Sequence, residues 1–169
     1  MIKKRKDLVH DSKGAIERLH RRTGFMLRRA VQRSTSTFAE HCKPVTTTQF
    51  GMMVILWEKE GLSQKEIGDL LFLDRTTTAL AVRILEEKGM VARHRHPRDK
   101  RKMVLSLTDT AKEAMPDLTR RSLEVQHILL ANLDEAERAT LNQLLRKLIG
   151  YPVTNDAAPV TARQEPQGG

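Results

Sequence analysis

The side chains best suited to chemistry in this chain are cationic and hydroxylic, and they crowd between Ser63 and Thr108. After Asp74, helical spacing puts Arg75, Thr76, Ala79, Leu80 and Arg83 on one side and Thr78, Val82 and Leu85 on the other. The first set suits recognition of a groove. Threonine hydroxyls exchange hydrogen bonds with base edges and phosphates, arginine takes a guanine through two parallel bonds, and small or apolar groups meet thymine methyls. Leu80 has two readings, thymine-methyl contact or packing under the following ribbon. Alone, such a face reads equally well as an ordinary solvated helix side. The segment that follows decides against that reading.

That segment is basic: Arg93, Arg95, Arg98, Lys100, Arg101 and Lys102 surround one tight turn, with His94 and His96 among them. So many like charges repel unless an anion arrives, and phosphate is the obvious anion. Pro97 and Asp99 are turn residues. Asp99 is expected to steady the turn by pairing with Arg101. Arg95, His96, Arg98, Lys100 and Arg101 are the expected phosphate contacts, with both histidine rings on the strand face that meets DNA.

The elements that must position these groups are also legible. Ser63 and Glu66 form a capping box that opens a short helix, with Ile67, Leu70 and Leu71 as its apolar face. Ser63 and Gln64, at its start, join the DNA-facing set. Phe72-Leu73 forms a turn, and Asp74 opens a second helix as its N-cap, with Thr77 in the first turn joining the DNA-facing set. That helix runs to about Lys88, with Gly89 as its C′ residue. Met90-Val91-Ala92 and Val104, Leu105 and Leu107 read as two strands around the basic turn. Two short helices followed by a basic ribbon predict a winged helix-turn-helix.

At this point the chain resembles the MarR family of bacterial transcription regulators. Pro97-Arg98-Asp99-Lys100-Arg101 leading to Leu107-Thr108 is similar to that family's wing signature. Thr47-Thr48-Gln49-Phe50, Ser63 to Leu71, Asp74-Arg75-Thr76-Thr77 and Leu85-Glu86-Glu87-Lys88-Gly89 follow the same family in order and spacing. The resemblance spans roughly Gly14 to Gly150. It departs at Thr110-Ala111, where many members carry a glycine; this bears only on how the next helix begins. The resemblance implies a mainly α fold with a small β-wing and a helical dimerisation bundle, and a ligand bound between bundle and reader.

Composition agrees with an anionic partner. The 169 residues carry a formal net charge of +9, so nucleic acid is the first partner to consider. Aromatic content of 4% is low for a protein that stacks single-stranded bases. One cysteine excludes an internal disulfide and fits a reducing cytoplasm. No apolar run is long enough to span a membrane, and the basic opening lacks the apolar core of a secretory signal. No Ser/His/Asp or Cys/His constellation, phosphate-cradling glycine loop or metal-ligand cluster points to an enzyme, a metal or a cofactor.

The remaining segments divide as follows. Residues 1–11 read as a flexible basic arm. Residues 12–45 carry one long helix, from Ser12 to about Glu40, striped by Ile16, Leu19, Thr23, Leu27, Ala30, Ser34 and Phe38. Its stripe calls for a partner subunit. The DNA-binding domain is expected over 46–108, opening with a core helix capped by Thr47 or Thr48. C-terminal dimerisation helices are expected over 109–150. The first is capped by Thr108 and carries Ala111, Met115, Leu118, Ser122, Val125 and Leu129 in heptad-like order, with Pro116 as a kink or restart. The second is opened by Asp134 and Glu137. Residues 151–169 have the composition of a disordered tail.

These readings converge on a homodimeric regulator of double-stranded DNA, a repressor released by a small anionic or aromatic effector such as a phenolic acid or its CoA thioester. Arg21, Arg28, Met53 and Trp57 are the candidate effector residues, although plain core packing explains Met53 and Trp57 as well. A nonspecific architectural DNA protein is the alternative. A redox-sensing regulator is another, because His41 and Lys43 flank Cys42 and such neighbours can lower a thiol pKa.

Overall fold

A computed structural model describes residues 13–151. The basic arm, the helix start at Ser12 and the tail beyond Tyr151 lie outside the described residues. The chain divides into two compact units, one ending at Leu129 and the other beginning at Leu130. The first holds α1 (Lys13–His20), α2 (Thr23–His41), α3 (Thr47–Glu58), α4 (Gln64–Leu70), α5 (Arg75–Glu87), β1 (Val91–Arg95), β2 (Met103–Leu107) and α6 (Asp109–Leu129). The second holds α7 (Glu135–Leu148). The fold is mainly helical with one two-stranded antiparallel sheet, a winged helix.

The single long helix expected from Ser12 to Glu40 is two helices. Arg22 adopts extended geometry (φ −92°, ψ 117°) and caps α2 without a side-chain bond. Thr23 and Gly24 propagate a helix poorly, and Arg18 and Arg22 would repel at i,i+4. The rings of His20 and Phe25 face each other across the break with centroids 5.7 Å apart. Of the stripe on these helices only Phe38 is buried, against Phe50 at 5.6 Å between ring centroids.

The core gathers around α3. Met52, Met53 and Leu56 are fully enclosed, together with Cys42, Ile67, Leu85, Leu105 and Leu118. The cap of α3 is Thr46, not Thr47 or Thr48. Its hydroxyl accepts the Gln49 N–H while its own N–H donates to Gln49 Oε1. The reciprocal partner is a glutamine three residues on, so Thr46 alone has the right spacing for a capping box.

Helices α4 and α5 cross closely. A Cβ added at Gly68 would stand 2.7 Å from Thr78 Oγ1, so this position admits no larger side chain without a shift. The apolar face of α4 is narrower than expected. Ile67 is buried, but Leu70 is 56% exposed, and Leu62, just before α4, enters the core instead. Leu62 and Leu105 form a backbone bridge, Leu105 N–H donating to the Leu62 carbonyl at 2.8 Å. The bridge leashes the α3–α4 connection to β2.

The sheet pairs Val91 with Leu107 and Arg95 with Met103. In β2 the side chains of Val104, Leu105 and Leu107 are buried. Thr108 then joins sheet to helix: its hydroxyl donates to the Gly89 carbonyl at 2.7 Å and accepts the Ala111 N–H at 3.2 Å. Ala111, Met115, Leu118 and Val125 are buried on α6, as the heptad-like spacing requires, and the helix runs through Pro116 without a restart. In the second unit Asp134 and Glu137 form the expected capping box, and no residue of α7 is buried. No helix among the described residues is long and apolar enough to cross a membrane.

Candidate nucleic-acid interface

The interface is built on two caps and one turn. The Ser63 hydroxyl donates to Glu66 Oε2 at 2.7 Å, and the same carboxylate accepts the Ser63 N–H at 2.8 Å. Those bonds pull the Glu66 carboxyl below its ordinary pKa. At the second cap the Thr77 hydroxyl and N–H both donate to Asp74, at 2.6 and 2.8 Å, and hold its carboxyl below the usual range. Ser63 and Thr77 are thus committed to caps. Either hydroxyl can still accept a bond from outside, but its proton is already placed. Their first role is to set the starts of α4 and α5, where backbone N–H groups favour an anion.

Along α5 the inward set is Thr78, Ala81, Val82 and Leu85, all buried. Arg75, Thr76, Ala79, Leu80 and Arg83 are all exposed, as the helical spacing requires. Leu80 stays 52% exposed and is not tucked under the wing. Arg83 pairs along the helix with Glu87 at 3.3 Å. Gln64, Lys65, Asp69, Leu73 and Arg75 line an open hollow of about 530 Å³ between α4 and α5. Lys65 is held there by Asp69 at 2.6 Å.

The wing departs from expectation in two places. Asp99 does not pair with the Arg101 guanidinium; its Oδ1 accepts the Arg101 backbone N–H at 3.1 Å. Asp99 thereby closes an Asx-type turn and leaves the Arg101 charge outward. His96 also turns inward. Its Nδ1 accepts the N–H groups of Arg98 and Asp99 at 3.2 and 3.1 Å. It lies beyond the end of β1, so it does not share a strand face with His94. Arg95 reaches the Lys100 carbonyl at 3.4 Å. Arg98, Lys100 and Arg101 project from the turn and are all exposed.

Sequence reading missed how the wing is tied to the helix. Arg93 of β1 grips Glu86 of α5 through two parallel bonds, Nε to Oε1 and Nη2 to Oε2, both 3.1 Å. Hydrogen bonding to Glu86 pushes the Arg93 pKa further up. Neither residue carried a spacing signal, because the contact spans a turn and a strand rather than one helix.

The candidate effector residues stand in different surroundings. Met53 is completely buried in the core, Trp57 is 39% exposed, and Arg21 and Arg28 are exposed on or beside α2. None of the four lines the hollow between α4 and α5. Cys42 is completely buried, and that burial pushes its thiol pKa up, with Arg121 opposing. The neighbouring His41 is engaged with the Thr37 carbonyl at 2.9 Å. Burial and the upward shift both disfavour the thiolate that redox sensing at Cys42 requires.

Comparison with known proteins agrees with this geometry. The profile of the MarR family matches residues 45–103, from the start of α3 into β2. A putative transcriptional regulatory protein for the hcr operon of Thauera aromatica is 30% identical over 148 residues, covering 84% of each chain. The PcaV transcriptional regulator of Streptomyces coelicolor, solved with its natural ligand, superposes with a TM-score of 0.72. It is 28% identical, over 78% of this chain and 94% of that one. The transcriptional repressor CouR, solved on a 23-mer DNA duplex, gives 0.71 at 26% identity, over 78% of this chain and 94% of that one. These are regulators, not enzymes. Capped reader helix, basic wing and shared fold together place this chain in the MarR family, as a DNA-binding transcriptional regulator.

Proposed function

We propose that the protein is a homodimeric repressor that reads a near-palindromic operator and leaves it when a small anionic or aromatic effector binds. The observation that carries this is the exposed face of α5, with Arg75, Thr76, Ala79, Leu80 and Arg83, next to a wing tip bearing Arg98, Lys100 and Arg101. In this reading α5 lies in the major groove and reads bases, while Gln64, the wing and the helix caps meet the backbone. Two such helices related by a two-fold axis span half-sites about 10 bp apart or a multiple of that. The structure of the CouR repressor bound to a DNA duplex supports the docking mode.

Dimerisation is supported by apolar side chains that a lone chain leaves in water. Ile16, Leu19, Met26 and Val31 are 38–65% exposed on α1 and α2. Within the second unit Leu141, Leu144 and Leu148 are 37–59% exposed on α7. Apolar faces of this kind are what a helical bundle between subunits buries. The N-terminal helices and residues 109–150 then serve as the dimer part, and 46–108 as the reader. A cytoplasmic location follows from the DNA partner.

The PcaV structure with its natural ligand supports an effector-responsive reading. Arg21 and Arg28 supply cationic charge for an anionic compound, with Trp57 as an exposed aromatic face. An effector shifts the two reader helices only by its differential affinity for their two spacings. The test is fluorescence anisotropy on the gene's own upstream duplex and a scrambled one at physiological salt, with and without aromatic acids and their CoA thioesters. A preference of about a thousandfold, abolished by one compound, supports the reading. Equal affinity for that duplex, for scrambled DNA and for the best duplex from a random-sequence selection overturns it.

A further inference from the structure

The motif residues Gln49 and Lys88 carry no DNA-facing role, yet the fold brings them together from 39 positions apart. The Lys88 ammonium donates to Gln49 Oε1 at 3.1 Å and to the Pro44 carbonyl. Gln49 is buried, and its Oε1 also accepts the Thr46 N–H that caps α3. Lys88 is the C-cap residue of α5. The C-terminal end of the reader helix is therefore bonded to the linker between α2 and α3. The same linker is gripped from another side. Arg121 of α6 donates from Nη1 to the His41 carbonyl at 3.0 Å and to the Lys43 carbonyl at 3.2 Å, while Nη2 pairs with Asp117 at 2.8 Å. Carbonyls 41, 43 and 44 thus take cations from α6 and α5 within a few residues.

We propose that Lys88 is a positioning residue for DNA recognition, fixing the reader helix against the α2–α3 linker that Arg121 holds to α6. The reason is geometric. Asp74 caps the start of the helix, buried Leu85 and the Glu86–Arg93 pair seat its far end against the core and β1, and Lys88 adds the tie to the α2–α3 linker. A base-reading face has to be held within about half an ångström and 10–20° of the productive pose. A charge-assisted bond to a buried amide, itself locked in a capping box, is stiff enough to supply that reference. Lys88 acts through the helix rather than as a phosphate contact, because two of its three N–H donors are held by Gln49 and Pro44.

The inference rests on the specific-regulator reading, and the experiment separates the two. Wild-type protein, Lys88→Met, Lys88→Arg and Gln49→Leu are titrated on the best duplex from a random-sequence selection and on a scrambled duplex, with melting temperatures measured in parallel. Lys88→Met is expected to lower the ratio of specific to scrambled affinity by about tenfold or more while the protein stays folded. Lys88→Arg, which keeps a donor, retains most of the ratio. Gln49→Leu lowers it, and adding Lys88→Met then costs little more, as for two groups acting together. An unchanged ratio in folded Lys88→Met overturns the proposal, and so does an equal loss on both duplexes, which is the signature of a phosphate contact. Should Lys88→Met fail to fold, Gln49→Leu carries the same comparison, and an unchanged ratio there overturns it. A wild type without any preference sinks the specific-regulator reading instead.

Discussion

Arg93 and Glu86 join the wing to the reader helix through a two-pronged ion pair with both bonds at 3.1 Å. The side chains are 37% and 30% exposed, so the pair is partly shielded and its planar geometry is favourable. Its contribution to stability is modest, on the order of 1 kcal/mol. Its larger effect is orientation, since the basic turn hangs from the strand that carries Arg93. Glu86→Ala is expected to weaken DNA binding although it removes a negative charge, which by charge alone should strengthen binding. Anisotropy titrations of Glu86→Ala, Arg93→Ala and the double variant check this. Tighter binding by Glu86→Ala would show that the pair does not orient the wing.

Arg75 and Arg98 should fail differently. Arg75 stands at the start of α5 on its exposed face, and Arg98 at the tip of the wing. Arg75→Ala is expected to cost about 1–3 kcal/mol on the preferred duplex and much less on scrambled DNA, with Arg83→Ala behaving alike. Arg98→Ala should weaken both duplexes and lower the salt slope by about one phosphate contact. Affinities across a salt series separate the two. Equal losses on both duplexes for Arg75 would remove its base-reading role.

Phe72 occupies the left-handed region with φ 54° and is 82% exposed. A bulky side chain pays for that conformation and recovers almost nothing through burial. Phe72→Asn keeps a residue that tolerates the left-handed turn and is expected to stabilise the protein by about 0.5–1 kcal/mol. A melting temperature raised by a few degrees is the readout. A lowered one would mean that the ring packs on something the single chain does not contain.

Acid should loosen the start of the reader helix. The Thr77 hydroxyl and N–H hold the Asp74 carboxyl below its ordinary value of 3.8. A carboxyl whose pKa is lower folded than unfolded contributes its full stabilisation above the unfolded value and loses it as pH falls through the folded value. The benefit of Asp74 is therefore complete above about pH 4 and declines below it. Asp74→Asn retains a cap but cannot titrate. The stability difference between the two proteins, from denaturant melts between pH 6 and pH 3, is expected to shrink as the pH drops. A constant difference would show that the charged carboxylate adds nothing to the cap.

The sequence by itself determined the reader. Ser63 with Glu66, Asp74, Asp134 with Glu137 and Thr108 ahead of α6 declare helix starts, because each cap bond closes over three residues. Helical spacing sorted Thr78, Val82 and Leu85 inward and Arg75, Thr76, Ala79, Leu80 and Arg83 outward, because periodicity encodes a face. The basic turn between two apolar runs gave the wing. Tertiary structure decided what connects these parts. It broke the N-terminal helix at Arg22, turned His96 into the wing, moved the Asp99 bond onto backbone, and enclosed Cys42. It also joined Glu86 to Arg93, Lys88 to Gln49 and Pro44, and Arg121 to His41 and Lys43. Local caps and faces depend on residues within a turn or two, so spacing reveals them. Burial and cross-chain bonds depend on which surfaces the folded chain brings together, and no local pattern records that.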